Sequence, residues 1–281
     1  MSIRDPNYIK NLQHKSSNIF IACSKRNFYQ RAAISAWVLK AGYTPISPFM
    51  NVDYNLGGLV AKDLIRIANN SLIKACDELW VFDEVSDGVL LEIYLARKSG
   101  KPIKYLQHVA KNDQLFMFIP EEQVRLEDVS PWLWEWMLSG RDLTRWHPRL
   151  RFHKTYPVVY PAYSKRNFYW QMHISKFCLE QKMIPLNPFM LFRYFLGDSV
   201  PREEVYRANA DIVSLSDAVW TFGEVSDGVL DEVVLKRKLG GDVRHYRIEN
   251  DKLANFRKVS ARSVMFEDPA LESRRAELLS R

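Results

Sequence analysis

The chain repeats itself. Ser24-Lys25-Arg26-Asn27-Phe28-Tyr29 returns as Ser164-Lys165-Arg166-Asn167-Phe168-Tyr169, Pro48-Phe49-Met50 as Pro188-Phe189-Met190, and Glu84-Val85-Ser86-Asp87-Gly88-Val89-Leu90 as Glu224-Val225-Ser226-Asp227-Gly228-Val229-Leu230, each 140 residues later. The constant offset means that no insertion separates the copies from Ser24 to about Gly100. Solenoid repeats run to roughly 20–50 residues and share a core with their neighbours. A period this long is one domain per copy. The length of 281 residues agrees, because a domain typically takes ~100–200 residues. The expected division is a first domain over 1–110, a tryptophan- and arginine-rich linker over 111–155, and a second domain over 156–281.

Within each copy, strands and helices alternate. In copy one the apolar run 18–23 suits a strand buried on both faces. Residues 24–27 form a polar loop, and apolar residues then fall at helical spacing over 28–40 until Gly42 stops the pattern. A second strand at 43–47 ends at Pro48. A helix over 59–75 carries the stripe Leu64, Ile65, Ala68, Leu72 and Ile73. A third strand at 78–82, a helix at 89–98 closed by Gly100, and a fourth strand at 102–106 complete the copy. Copy two gives the same order at 158–161, 168–182, 184–186, 200–215, 218–222, 229–239 and 243–248. Such alternation implies an α/β fold with a mostly parallel sheet flanked by helices on both faces, built twice. Ligands of such sheets bind beyond the carboxyl ends of the strands. Two of the recurring motifs fall there: Ser-Lys-Arg-Asn after the first strand and Glu-Val-Ser-Asp-Gly after the third.

Composition narrows the classes of function. Hydrophobic residues make up 47%, so disorder is not the default. Met1 to Lys15 lacks the apolar core of a signal peptide, and no run approaches the roughly 20 apolar residues of a membrane helix. The three cysteines, Cys23, Cys76 and Cys178, have no CxxC spacing. They read as buried thiols in a reducing, cytoplasmic setting, with neither metal nor disulfide expected. A net charge of +7 favours anionic partners, phosphates or nucleic acid.

The loop Ser24, Lys25, Arg26 and Asn27, with its copy Ser164, Lys165, Arg166 and Asn167, precedes a helix. Amide groups there point outward and the helix dipole favours an anion. Arginine adds a two-pronged grip on phosphate. The ordinary alternative is a solvated basic loop with Ser24 or Asn27 as the helix cap. At the second motif, Ser86, Asp87 and Gly88 (Ser226, Asp227 and Gly228 in copy two) end the third strand, and Gly88 lets a ligand approach the backbone. Glu92 and Glu232 follow one helical turn on. A carboxylate in that place can act as nucleophile or general base. The ordinary alternative is that Asp87 caps the helix while Glu92 complements its dipole.

Cys76-Asp77-Glu78-Leu79-Trp80-Val81-Phe82, then Ser86-Asp87-Gly88-Val89-Leu90-Leu91-Glu92, then Gly100-Lys101-Pro102, in this order around strands, resembles the nucleoside 2-deoxyribosyltransferase-like superfamily. The resemblance covers most of each copy but not about 109–155. It implies two tandem flavodoxin-like (Rossmann-like) domains and cleavage of an N-glycosidic bond in a nucleoside or nucleoside 5'-monophosphate, by hydrolysis or by transfer to another base, with no cofactor. It places the nucleophile on Glu92 and Glu232, a phosphate contact on Ser86 and Ser226, and sugar and phosphate contacts on the two basic loops. Members are usually dimers, so the fused copies are expected to form an intramolecular pseudo-dimer, with further oligomerisation open. In two respects the sequence departs from the family. The aspartate that often assists the nucleophile is Asn69 here and Asn209 in copy two; asparagine cannot take up a proton at ordinary pH, although Asp63 or Glu203 could substitute. The family's second glycine before the glutamate is Leu90 or Leu230.

Two segments stand apart. The stretch Ser130-Pro131-Trp132-Leu133-Trp134-Glu135-Trp136-Met137-Leu138, followed by Arg141, Arg145, Trp146, His147, Arg149, Arg151, His153 and Lys154, mixes aromatic and basic residues as single-strand binders do. The expectation preferred here is a linker helix burying its indoles between domains. The charged stretch 269–281 reads as a solvated helix. Three functions therefore compete: an N-glycosidic enzyme, a nucleotide sensor without chemistry, and a nucleic-acid-binding or modifying protein. One copy could be active and the other structural; both keep the glutamate, so sequence does not choose which.

Overall fold

Ile19 to Ala22 carry no polar side chain, and the strand they belong to, β1 (Asn18–Cys23), is buried along its whole length. The computed structural model describes residues 16–52, 56, 58–111, 114–145, 147, 150, 154–192, 196, 199–249 and 255–279. They divide into two compact units, one drawn from 17–57 and 61–156, the other mainly from 157–281.

In the first unit a 3₁₀ turn (Lys25–Gln30) leads from β1 into α1 (Arg31–Lys40), then come β2 (Thr44–Ile46), α2 (Pro48–Asn51), α3 (Lys62–Ala75), β3 (Glu78–Phe82), α4 (Asp87–Lys98), β4 (Ile103–Lys111), β5 (Gln114–Ile119) and α5 (Pro131–Leu138). The sheet order is β2-β1-β3-β4-β5. β1 pairs in parallel with β2 and β3, and β3 with β4. From β1 the chain crosses outward to β2, then returns to the other side at β3. The carboxyl ends of β1 and β3 therefore flank the point where the winding reverses, which is where open α/β sheets leave a crevice. Trp80, Phe82 and Phe116 form the core with Trp37 packed across them, its ring 5.6–6.3 Å from theirs.

The second unit repeats the plan with β6 (Val158–Tyr163), a 3₁₀ turn (Lys165–Trp170), α6 (Gln171–Glu180), β7 (Ile184–Pro185), α7 (Pro188–Leu191), α8 (Arg202–Leu215), β8 (Ala218–Phe222), α9 (Asp227–Lys238), β9 (Asp242–Glu249), β10 (Asn255–Val259) and α10 (Arg275–Leu279). Its sheet order is β10-β9-β8-β6-β7. The chain thus carries two five-stranded sheets flanked by helices, an α/β architecture.

Several expectations need correction. The sheets are mostly parallel as expected, and each adds one antiparallel edge strand that was not foreseen, β5 beside β4 and β10 beside β9. The linker expected over 111–155 is not separate from the first unit. Residues 114–119 are its edge strand, with Phe116 in the core while Leu115, Met117 and Phe118 stay exposed. An edge strand so exposed lacks the continuous burial that marks the inner strands. Trp134 of α5 is buried and packs on Tyr105 of β4 within the first unit, ring centroids 6.4 Å apart. Trp132 is exposed, and Trp136 lies under the Arg141 guanidinium at 4.5 Å. Trp146, Arg149, Arg151 and His153 lie outside the described residues. The helix expected from 59 begins at Lys62, and the loop expected at 24–27 is already the start of a 3₁₀ turn. The terminal stretch expected to be a solvated helix is a 3₁₀ turn (Pro269–Arg274) and α10, with Leu278 fully buried. Among the described residues no helix is long and apolar enough to cross a membrane.

Candidate functional site

The crevice at the β1–β3 switch of the first unit is a cleft of about 220 Å³. Ser24 and Lys25 enter it from the end of β1, Ser86, Asp87, Gly88 and Glu92 from the end of β3 and from α4, and Phe49 from α2. The two motifs singled out from sequence, over sixty positions apart in the chain, thus line one cavity. Arg26 and Asn27 do not line it: the Arg26 guanidinium is largely exposed, and Asn27 is buried behind the loop with its Nδ2 unpaired. Asn69 is also not among the lining residues. It sits on α3, which packs on α4, and its Oδ1 is buried with no hydrogen-bond partner. Asn209 in the second unit has the same orphaned Oδ1.

Glu92 is the deepest charge-bearing group. Its residue keeps partial exposure, and among the described residues nothing hydrogen-bonds to its carboxyl. Stripped of most of its water and given no donor, the carboxylate is costly, and burial pushes its pKa up to about 8. Above it, Ser86 is the N-cap residue of α4, yet its hydroxyl makes no cap bond, which leaves it turned to the cleft. A Cβ added to Gly88 would meet nothing nearer than Ser86 Oγ at 4.0 Å, so only the cleft lies beside it. The Cys23 thiol also lines the cleft, but burial first, and the charges of Glu92 and Asp83 after it, push its pKa upward, away from thiolate chemistry.

Two lining residues were missed from sequence: Glu127 and Asp128. They follow β5 and reach the cleft because Val85 and Leu126 form a β-bridge, with Val85 N–H donating to Arg125 O at 2.8 Å and Glu127 N–H to Val85 O at 3.0 Å. Ser24 Oγ donates to the Glu127 carboxylate, and Arg26 Nε pairs with it at 2.9 Å. Asp128 accepts the N–H of Asp87, the first residue of α4, at 2.6 Å. Asp87 in turn meets the His147 ring at 2.9 Å. The signal was available: Glu127-Asp128 recurs as Glu267-Asp268 at the same offset of 140, and Val225 bridges Phe266 just as Val85 bridges Leu126.

The second unit places the matching residues differently. Glu232 accepts from Tyr160 Oη at 2.5 Å, although burial still pushes its pKa up to about 8. Tyr163, where copy one has Cys23, is buried, bonds Asn187 Oδ1 at 2.7 Å and packs on Phe189 at 4.9 Å. Ser226 Oγ accepts weakly from Val229 N–H at 3.5 Å, and Asp227 pairs with Arg274. A cleft of about 300 Å³ does open beside Ser164, Arg166 and Asn167. It runs towards Gly223, Tyr246 and Arg247 instead, and neither Glu232 nor Ser226 lines it. Arg166 is held by Glu267 at 2.5 Å.

Among the described residues no group of three or more His, Cys, Asp and Glu is disposed to hold a metal ion. A family model described as "Domain of unknown function (DUF7768)" matches residues 159–246, the stretch from β6 into β9 that contains the second basic loop and Glu232. No curated protein and no solved structure matches the chain.

Proposed function

We propose that the first unit cleaves or transfers the N-glycosidic bond of a nucleoside or nucleoside 5'-monophosphate, with Glu92 as the attacking carboxylate. The observation that carries this is Glu92 itself, a carboxyl without a hydrogen-bond partner among the described residues, in a cleft lined also by the Ser24 and Ser86 hydroxyls and by Lys25. A nucleophile must be exposed to the reacting carbon and not already hydrogen-bonded away. Glu92 meets both conditions, and Glu232, bonded to Tyr160, does not meet the second. The cleft's place at the reversal of a β2-β1-β3-β4 winding further supports a flavodoxin-like site of the deoxyribosyltransferase type.

In this scheme the Glu92 carboxylate attacks the anomeric carbon as the bond to the base breaks, and the electron pair leaves on the base. Water or a second base then displaces the glutamate. Attack needs the ionised form, so the raised pKa of Glu92 implies a rate that climbs as pH rises through about 8. The decisive experiment follows free base released from nucleosides and nucleoside 5'-monophosphates by the full chain. Glu92→Gln is expected to lower release about a thousandfold or more. Release unchanged in that variant removes the assignment.

A sensor without turnover is the second reading, and one observation favours it: Asn69, at the position of the family's assisting aspartate, does not line the cleft. Binding to wild type and to Glu92→Gln alike, with no base released by either, would select it.

A further inference from the structure

Resting on the proposed reading of this cleft, we infer that it takes the uncharged nucleoside and rejects the 5'-phosphorylated form, and that Glu127 is the residue that sets this preference. The sequence suggests the opposite, since Ser24, Arg26 and the amino end of α4 are the groups a phosphate uses. In the structure Ser24 Oγ, Arg26 Nε and the first amide of α4 are already engaged, while the Ser86 hydroxyl is not. Ser24 Oγ and Arg26 Nε both serve one Glu127 carboxylate. The N–H of Asp87 serves Asp128 at 2.6 Å. Two side-chain carboxylates therefore hold three donors that a phosphate would otherwise use.

The consequence for a ligand is electrostatic. Asp87, Glu127 and Asp128 line the cleft, and among the described residues Lys25 is its one lining cation. A phosphate dianion entering here would meet carboxylates at close range and would have to displace Glu127 from two hydrogen bonds, both of which it would then have to replace. Sugar hydroxyls have no such difficulty: they donate to carboxylates and accept from Lys25 and from the unspent hydroxyl of Ser86. Glu127 is also well placed to keep its position. Its backbone is bridged to Val85, and its side chain is nearly buried.

The same bridge makes the test clean, because it does not depend on the Glu127 side chain. Calorimetry on the full chain would compare the common ribo- and deoxyribonucleosides with their 5'-monophosphates. Wild type is expected to bind the nucleoside at least about tenfold more tightly. Glu127→Ala is expected to bring the monophosphate up by about tenfold or more while nucleoside affinity changes little, each tenfold being about 1.4 kcal/mol. Adding Arg26→Ala to Glu127→Ala should cancel that gain, which general loss of negative charge or loosening of the fold would not do. Tighter binding of the monophosphate by wild type, or no gain in Glu127→Ala, overturns this inference alone. Nucleoside binding without base release overturns the glycosidic reading alone, and failure to bind either ligand overturns both.

Discussion

At the carboxyl end of β1 the first unit has Cys23, with Ser47 at the end of β2; the second has Tyr163 and Asn187 at the same two places. The small pair leaves room, and the Ser47 hydroxyl is buried without a partner. The large pair bonds to itself, and Asn187 Nδ2 is held in addition by Ser175 Oγ at 2.9 Å and Gln171 O at 3.2 Å. On the other side of the basic loop the relation inverts. Asp83, Glu84, Gln107, Ile119, Gln123 and Arg125 enclose about 20 Å³ in the first unit. Their counterparts Gly223, Glu224, Arg247, Val259, Ser263 and Met265 all line the 300 Å³ cleft of the second. One backbone plan has thus been opened on opposite sides of the same loop by exchanging a few side chains. Retention of a motif in both copies is therefore no evidence that both copies use it.

The sharpest way to break that comparison is to remove each glutamate in turn. Glu92→Gln should abolish base release, whereas Glu232→Gln should leave it within about twofold, because Glu232 is already bonded to Tyr160. A pH–rate profile of wild type adds a second check, rising to a plateau above about pH 8 as Glu92 ionises. Stability should run the other way. Both folded carboxyls have pKa values raised from the ordinary 4.5, so their favourable contribution is full below about 4.5 and is lost as pH rises through about 8. Melting temperature should fall across that window, and less steeply in either glutamine variant. A profile that instead declines above pH 8 would assign Glu92 to proton donation rather than attack.

A smaller but more specific effect is expected from transplanting the plug. Cys23→Tyr with Ser47→Asn gives the first unit the hydrogen-bonded pair of the second. The cleft should lose its ligand while the fold survives, since the second unit shows that this backbone accommodates the pair. Affinity is expected to drop at least about tenfold, with the far-ultraviolet circular dichroism unchanged. Unaltered binding would mean that some other feature distinguishes the units.

Much of this was legible in the residues. The inner strands announced themselves as continuous apolar runs, the helices by their stripes, and the two motifs by exact recurrence. The fifth strand was not, because an edge strand buries Phe116 and leaves Leu115, Met117 and Phe118 exposed, a pattern weaker than that of β1 or β3. Losing that strand also hid Glu127 and Asp128, which reach the cleft only through the bridge beyond it. The difference between the copies was hidden for another reason. It lies where the repeat fails, at Cys23 and Tyr163, Phe20 and Tyr160, Leu91 and Asp231, and attention to what recurs passes over such positions. The last of these pairs has a visible consequence: Asp231 meets Arg274 at 2.8 Å, and Arg274 stands where the first unit has the buried Trp134.

The smallest effect concerns the residue after the third strand. Asp83 has φ 61° and Gly223 φ 78°, so both units turn the chain through the left-handed region here. Aspartate tolerates that conformation at a cost offset by the bond from His108 N–H to its Oδ1 at 2.7 Å. In the second unit a side chain here would displace Asn167, because a Cβ on Gly223 would lie 2.5 Å from Asn167 Nδ2, which donates to Phe222 O at 3.4 Å. Gly223→Ala should therefore destabilise the second unit by roughly 1–3 kcal/mol, from the strained φ together with displacement of Asn167. Asp83→Gly relieves φ but loses the His108 bond and adds chain entropy. These oppose one another, and the net change should stay within about 1 kcal/mol. Denaturant melts of the two variants would separate a steric requirement for glycine in one copy from a mere backbone preference in the other. Equal losses in both would show that the close approach of Asn167 does not govern this turn.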